Sequence, residues 1–335
     1  MTVQMVDASR LRALVGFEDL IEPVSRAFQD FSAGLAESSI VIMYPGTDPS
    51  LGDAYVKTGS IRGHSHYIVK ISPWFALNQK LNQPQGGFVA AFDSTTGHTA
   101  AIFNDEHYLS DIRTAAAGAL AARVLAPESV RVAGILGTGV QAYWQTRALF
   151  SERRFKTLLI WGRDAAKALT LRKKLAPWLP GVEIDVVGDI REVVERAEVL
   201  VTATTAREPI VRGEWLRPGQ HITAVGADDN TKCELDAICL KRADRLIVDS
   251  RESAREHGDV HRWLKHGALS VEDVHGELGE VLAGTVPGRR SPEEITIAKF
   301  VGIGVQDLAA AEVSIEKLKP ARQDSRSSVA GHGNS

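Results

Sequence analysis

The chain changes hydrophobic rhythm twice. Across residues 9–36, Leu11, Leu14, Val15, Leu20, Val24 and Phe28 recur at helical spacing, with a break near Gly16 and a restart after Phe17-Glu18-Asp19. From Ile40 to Phe103 the apolar runs shorten, take up β-branched and aromatic residues, and are punctuated by Pro-Gly, Gly-Ser, Arg-Gly and Thr-Gly pairs. This pattern predicts strands of an antiparallel sheet at 54–57, 67–71, 87–93 and 99–104. An alanine-rich helix follows at 115–123, entered through Asp111-Ile112-Arg113-Thr114 and closed before Pro127. Beyond it, apolar runs at 157–161, 184–187, 199–202, 221–224 and 245–248 alternate with helical or mixed segments such as 164–176 and 190–197, the rhythm of a parallel sheet. Residues 252–285 read as partly helical, 295–301 as a further strand, and 307–318 as a helix returning to the first part of the chain.

Val130 to Ala142 organises the second rhythm. Val130, Val132, Ile135 and Leu136 suit a strand covered on both faces, and Gly137-Thr138-Gly139 lets the backbone turn sharply. A helix opening at Val140 and Gln141 would aim free N–H groups at a pyrophosphate. Gly137, Gly139 and Ala142 fill the G-x-G-x-x-G/A pattern. The next apolar run, Leu158 to Trp161, lies about 20 residues on and ends in Gly162-Arg163-Asp164, where such a fold meets the adenosine ribose. The predicted fold class is α/β, with a Rossmann doubly wound parallel sheet beside an α+β unit. Its dinucleotide is expected against Gly137, Thr138, Gly139, Val140 and Gln141, and against the strand ends Trp161-Gly162-Arg163, Thr202-Ala203-Thr204 and Val225-Gly226. An acidic residue at the end of the second strand reads the 2′-hydroxyl of NAD, whereas an arginine accommodates a 2′-phosphate; Arg163 therefore points to NADP(H) within NAD(P).

Composition narrows the partners. At 335 residues the chain has room for two domains, each with its own core. Its formal net charge of −3, with both signs intermixed, offers no basic stripe for nucleic acid and favours a small-molecule partner. No apolar run approaches a membrane span. Cys233 and Cys239 are too few for a metal knuckle, and without a secretory apolar segment they suggest free thiols in the cytoplasm. His257 and His261 stand four apart but lack a matching glutamate pattern, so no metal site is expected. Residues 319–335, polar and rich in Ser and Gly, read as a disordered tail.

Several polar residues stand where chemistry is done. Lys70, between Val69 and Ile71 on an alternating strand, faces either water or a pocket, and Lys57 shares that ambiguity. Arg113 is either half of a local ion pair with Asp111, worth at most about 1 kcal/mol, or a carboxylate clamp. Asp228 follows Ala224-Val225-Gly226-Ala227 at the carboxyl end of a strand, where open α/β sheets bind ligands, although aspartate there also serves as a turn or cap. Asp229 beside it is an equal candidate.

The sequence resembles the ornithine cyclodeaminase/mu-crystallin family over residues 1–318. The resemblance rests on Ile68-Val69-Lys70-Ile71-Ser72-Pro73 with Asn78, and on Asp111-Ile112-Arg113-Thr114-Ala115-Ala116-Ala117. It continues through Gly137 to Ala142, Val225-Gly226-Ala227-Asp228 with Lys232-Cys233-Glu234-Leu235-Asp236, and Gly304-Val305-Gln306-Asp307-Leu308-Ala309-Ala310. Gly52 to Thr58 also looks like the branch associated with ectoine utilisation, a weaker match. The resemblance implies a homodimer, with 1–127 as a substrate-binding and dimerisation domain completed by 305–320. It implies a Rossmann NAD(P)-binding domain over 128–304 and a tail over 321–335. It also implies that Lys70 and Arg113 hold the substrate carboxylate and assist at the reacting carbon, and that Asp228 handles the amine or water, with Asp228 and Lys70 as the catalytic residues. Two departures touch the substrate side. The region Met43 to Thr47 lacks the early arginine of many members, which Lys57 would replace, and Asp229-Asn230-Thr231 stands where a glycine usually precedes Lys232.

The implied reaction removes hydride from the α-carbon of an amino acid, giving an iminium that water or a side-chain amine attacks. In an ornithine cyclodeaminase ammonia then leaves and hydride returns. The alternatives are an NAD(P)H-dependent imino-acid (ketimine) reductase or amino-acid dehydrogenase with net cofactor turnover, and a non-enzymatic crystallin-like binding protein.

Overall fold

The computed structural model describes residues 3–48, 51–81 and 83–319, without the side chain of Gln79. The predicted tail, apart from Lys319, lies outside the described residues. The first part of the chain runs β1 (Gln4–Asp7), α1 (Ala8–Leu14), α2 (Ile21–Ser32), β2 (Ala36–Met43), β3 (Gly52–Ile61), β4 (His66–Phe75), α3 (Ala76–Lys80), β5 (Phe88–Asp93), β6 (Thr99–Asn104) and α4 (Tyr108–Leu125). Its six strands lie in the order β1-β6-β5-β4-β3-β2. All four predicted strands are present, but the sheet is mixed, because β1 pairs parallel to β6. β1 and β2 were not foreseen. β1 is only four residues long, and the alternation of β2 begins in Glu37-Ser38-Ser39, which carries no apolar signal.

The second part runs β7 (Val132–Leu136), α5 (Val140–Glu152), β8 (Thr157–Trp161), α6 (Ala165–Leu175), β9 (Glu183–Val186), α7 (Ile190–Arg196), β10 (Val199–Thr202), β11 (His221–Ala224), α8 (Ala237–Lys241), β12 (Arg245–Val248), α9 (Arg251–Glu256), α10 (Gly258–Lys265), β13 (Gly276–Glu277), α11 (Leu278–Leu282), β14 (Thr296–Lys299) and α12 (Gly304–Leu318). Eight parallel strands lie in the order β13-β12-β14-β11-β10-β7-β8-β9. β7, β10, β11, β12 and β14 are buried at every residue, as expected of strands covered on both faces. Strand order reverses between β7 and β10, which opens a crevice beyond their carboxyl ends.

The second part has a core of its own, and one further apolar cluster runs through both parts. α4 is buried on nearly every side because it packs against β11 and β14 of the second sheet and against α1, α2, α5 and α12, and Ala-rich helices can be approached that closely. Phe28 of α2 stacks near Phe300 at a centroid distance of 6.3 Å, and Leu278 and Val281 of α11 join the same apolar cluster. α12 then crosses the inner face of the first sheet. The contact is backbone against backbone: a Cβ on Gly59 would stand 2.5 Å from the Gly304 carbonyl oxygen, and one on Gly304 would stand 1.9 Å from that of Thr58. Replacing Gly59 by alanine is expected to push α12 off β3 and cost about 1–3 kcal/mol, as overpacking does elsewhere. Thermal unfolding would report it as a lower Tm, and an unchanged Tm would contradict this account of the helix seat.

Candidate active site

A cavity of about 650 Å³ opens between the inner face of the first sheet and the crevice between β7 and β10. Lys57, Lys70, Arg113, Asp228, Gly139, Val140, Gln141, Arg163, Ala203, Thr204, Val225 and Gly226 all line it. Its floor is a ladder set by strand register. On β3, Asp53, Tyr55 and Lys57 point the same way because alternate residues share a face, and opposite them on β4 stand Trp74, Ser72 and Lys70.

At the basic end, three cations surround one carboxylate. Lys70 Nζ and Arg113 Nε both donate to Asp307 Oδ1, at 2.9 and 3.0 Å, and Arg113 also donates to Gln306 Oε1. Lys57 Nζ donates to the carbonyls of Gly302 at 2.7 Å and Val301 at 3.2 Å. All three cations are nearly fully buried. Burial tends to raise the Asp307 pKa, but Arg113, Lys70 and Lys57 together hold it below the usual carboxylate range. Burial pulls Lys70 down against the pull of Asp307, and burial with the charges of Arg113 and Lys70 brings Lys57 down to about 7. The bland alternatives for these side chains are thereby excluded: Lys57 and Lys70 face the cavity, and Arg113 pairs with Asp307 rather than with Asp111. Asp111 instead accepts from Gln141 Nε2 at 3.0 Å.

At the other end, Asp228 and Asp229 share Lys232, whose Nζ lies 2.7 and 2.9 Å from them. The two aspartates differ in employment. Asp229 is buried and accepts from the backbone N–H of Thr231 and Lys232, from the Thr231 hydroxyl and from the Tyr55 hydroxyl, so it builds the turn. Asp228 keeps 35% side-chain exposure towards the cavity, with Lys232 as its one charged partner, and its charge is felt by Lys57 as well. Asp53 is 7% exposed, and burial pushes it up to about 6, Asp228 and Asp229 adding to the effect against Lys232.

The crevice edge carries the glycine turn. Gly137 takes φ +122, and a Cβ there would stand 2.3 Å from the Ala203 carbonyl oxygen. Gly139 caps α5, which opens at Val140 as predicted, and a Cβ on Gly139 would meet only open space. That space, beside the free N–H groups of a 13-residue helix, fits a dinucleotide pyrophosphate. Gly162 packs against Thr138, while Trp161 is half-buried against the core under β10. Thr202 turns away from the cavity. It is fully buried and donates to Glu234 Oε2 at 2.7 Å.

Glu234 was not singled out from sequence. Its carboxylate accepts from the Thr202 and Thr204 hydroxyls and from the Thr204 and Gly226 backbone N–H groups, tying the loops after β10 and β11 together. Gln306 and Asp307 stand out in the sequence only as parts of a motif, and Tyr55 and Lys232 likewise. Their partners lie up to 237 positions away in the sequence, so no local signal exposed them.

With that geometry in hand, likeness to known proteins is informative. A profile of the ornithine cyclodeaminase/mu-crystallin family matches residues 2–321. The chain belongs to this family. It is 37% identical over 320 residues to an uncharacterised cyclodeaminase of Sinorhizobium fredii, covering 95% of this chain and 96% of that protein. Among solved structures, it superposes on the Thermococcus litoralis Δ1-pyrroline-2-carboxylate reductase in complex with NADH and L-proline. The TM-score there is 0.88 at 30% identity, over 94% of this chain and 97% of the other. A dimeric archaeal alanine dehydrogenase with bound NAD gives a TM-score of 0.87 at 30% identity, over 95% and 96%. In this member of the cyclodeaminase/mu-crystallin family, Tyr44, from the region without the expected early arginine, lines the cavity. Lys57 stands at its basic end, and Asp229 forms the turn that precedes Lys232.

Proposed function

We propose that the protein is an NAD(P)-dependent enzyme acting at the C–N bond of a small amino acid, in the manner of a cyclodeaminase. The observation that carries this reading is the position of Asp228, which opens on the same cavity as the buried three-cation clamp and the dinucleotide crevice. The oxidised nicotinamide, when bound, supplies a hydride acceptor. Arg113, Lys70 and Lys57 bind and orient the α-carboxylate so that the α C–H faces the crevice, which converts binding into alignment. Asp228 stabilises the developing iminium and moves a proton at the substrate nitrogen or at attacking water. Reduction of a cyclic imino acid is the second reading, favoured by the likeness to a reductase that holds NADH and L-proline; the same clamp serves both directions.

In this reading residues 1–127 with 305–320 carry substrate and dimer contacts, and 128–304 carry the cofactor. NADP(H) is the favoured form. Asp164 is spent as the cap of α6, accepting from the N–H of Ala166 at 2.9 Å and Lys167 at 3.2 Å, whereas Arg163 is exposed at the cavity edge. Self-association is supported by an apolar row on the outer face of the first sheet, Val41, Val56, Ile71 and Phe88 in register, opposite the face α12 covers. Val41 is 56% exposed. The two unpaired buried thiols, Cys233 and Cys239, suit a reducing cytoplasm.

Incubated with NAD(P)+ and a panel of amino acids, the protein is expected to release ammonia with little net NAD(P)H. Asp228→Asn should lower kcat by about 100-fold or more. Net NAD(P)H formation, or rapid NAD(P)H consumption with an imino acid, would move it to the second reading; an unimpaired Asp228→Asn would remove that residue from the chemistry. Arg163→Ala should weaken NADPH by about tenfold while leaving NADH within a factor of about two, checked by fluorescence titration; equal losses for both would refute the 2′-phosphate role. Sedimentation should give two copies per particle, and a monomer at all concentrations would refute the dimer.

A further inference from the structure

Of the three cations at the basic end of the cavity, Lys57 is the one that makes no ion pair among the described residues. Lys70 and Arg113 both face Asp307 Oδ1, which keeps them charged. Lys57 Nζ instead donates to two backbone carbonyls, those of Gly302 at 2.7 Å and Val301 at 3.2 Å. Two acceptors match the two N–H groups of a neutral amine and leave its lone pair free, whereas an ammonium carries a third N–H that these carbonyls do not answer. Burial and the charges of Arg113 and Lys70 favour the same form, bringing Lys57 down to about 7, so that about half of it is a free amine at neutral pH.

That amine stands beside the carboxylate clamp. A Cβ on Gly302 would lie 2.7 Å from Arg113 Nη1 and 3.2 Å from Lys57 Nζ, so the two side chains converge on one spot of the cavity wall. Arg113 and Lys70 also keep N–H groups beyond those given to Asp307 and Gln306. The carbon bonded to a carboxylate on Arg113 lies one C–C bond further out, within the span between these side chains. A lysine amine desolvated beside other cations is the form that adds to carbonyl carbons.

We infer that Lys57 is a nucleophile for 2-oxo acids: with the acid's carboxylate on Arg113 and Lys70, Nζ adds to the C2 carbonyl carbon and forms an imine. The C2–O bond breaks, its oxygen leaves as water with the two protons of the amine, and a C=N bond joins C2 to Nζ; no oxidant or reductant is consumed. Attack on this imine by ammonia restores the Lys57 amine and releases the 2-imino acid. The ammonium form of Lys57 remains the third cation of the clamp. The inference goes beyond the proposed reaction at the C–N bond, whose hydride step it does not use.

Reductive trapping tests it. The whole protein is treated at neutral pH with pyruvate and cyanoborohydride, digested, and its lysines are compared by mass spectrometry. Lys57 should carry the carboxyethyl adduct at least about tenfold above any other lysine, because an ordinary lysine is almost wholly protonated there. Acetone, which has the carbonyl but no carboxylate for the clamp, should label Lys57 no more than about one-tenth as well. Lys57→Arg keeps the charge and should lose the adduct. Absence of an adduct on the wild-type protein, preferential labelling of Lys70 or of exposed lysines, or equal labelling by acetone would each overturn the inference, whether or not the variant folds. Trapping needs no nicotinamide, so a labelled Lys57 stands even if no amino acid is turned over, and turnover without labelling removes the nucleophile while leaving the proposed reaction in place.

Discussion

One buried carboxylate makes the site possible. Lys70 and Arg113 come from different elements of the first sheet unit, β4 and α4, and burying two like charges side by side is prohibitive without a counter-ion. Asp307 supplies it from α12, accepting from both through the same oxygen. Removing the partner of a buried pair costs about 3–5 kcal/mol in general, because the remaining charges stay buried. The close seat of α12 on β3 at Gly59 and Gly304 therefore belongs to the electrostatics of the site as much as to its packing. Gly302, at φ +81, extends the same logic, since a Cβ there would stand 2.7 Å from an Arg113 guanidinium nitrogen.

The crevice side depends on a second buried carboxylate. Glu234 ends no helix and touches no cation directly; it collects four donors from two loops that follow different strands. Behind it, Asp259 accepts from the backbone N–H groups of Glu234 and Leu235 and pairs with Lys299 at 3.1 Å, and Lys299 donates to the Ala227 carbonyl. The loop carrying Asp228 is thus anchored by a chain of fully buried polar groups, while Asp228 itself, paired with Lys232, stays open to the cavity.

How much of this was legible in the sequence depended on whether the signal was local. β7, the glycine turn and the start of α5 were legible because a strand, a tight turn and a helix N-terminus each leave their mark within a few residues. The β-branched strands of the parallel sheet were legible for the same reason. β2, with Glu37-Ser38-Ser39 at its start, was not, because its position is fixed by pairing with β3 rather than by its own composition. Lys57, Lys70, Arg113 and Asp228 were recognisable as polar residues in apolar or strand-end settings. What they pair with was not, since Asp307 and Lys70 meet across 237 positions. A core for each part was expected from length; the second part has one, but the cluster of the first part also takes in residues of the second, such as Ile247, Ala298 and Phe300.

The placement of Asp307 also sets an order of events during synthesis. Lys70 and Arg113 leave the ribosome long before residues 304–318 do, so a nascent chain lacks the Asp307 counter-ion of its clamp until α12 emerges. The clamp cannot be complete before α12 is in place, and a chain that stops short of α12 would lack the group that holds its cations together, even with both sheets already made.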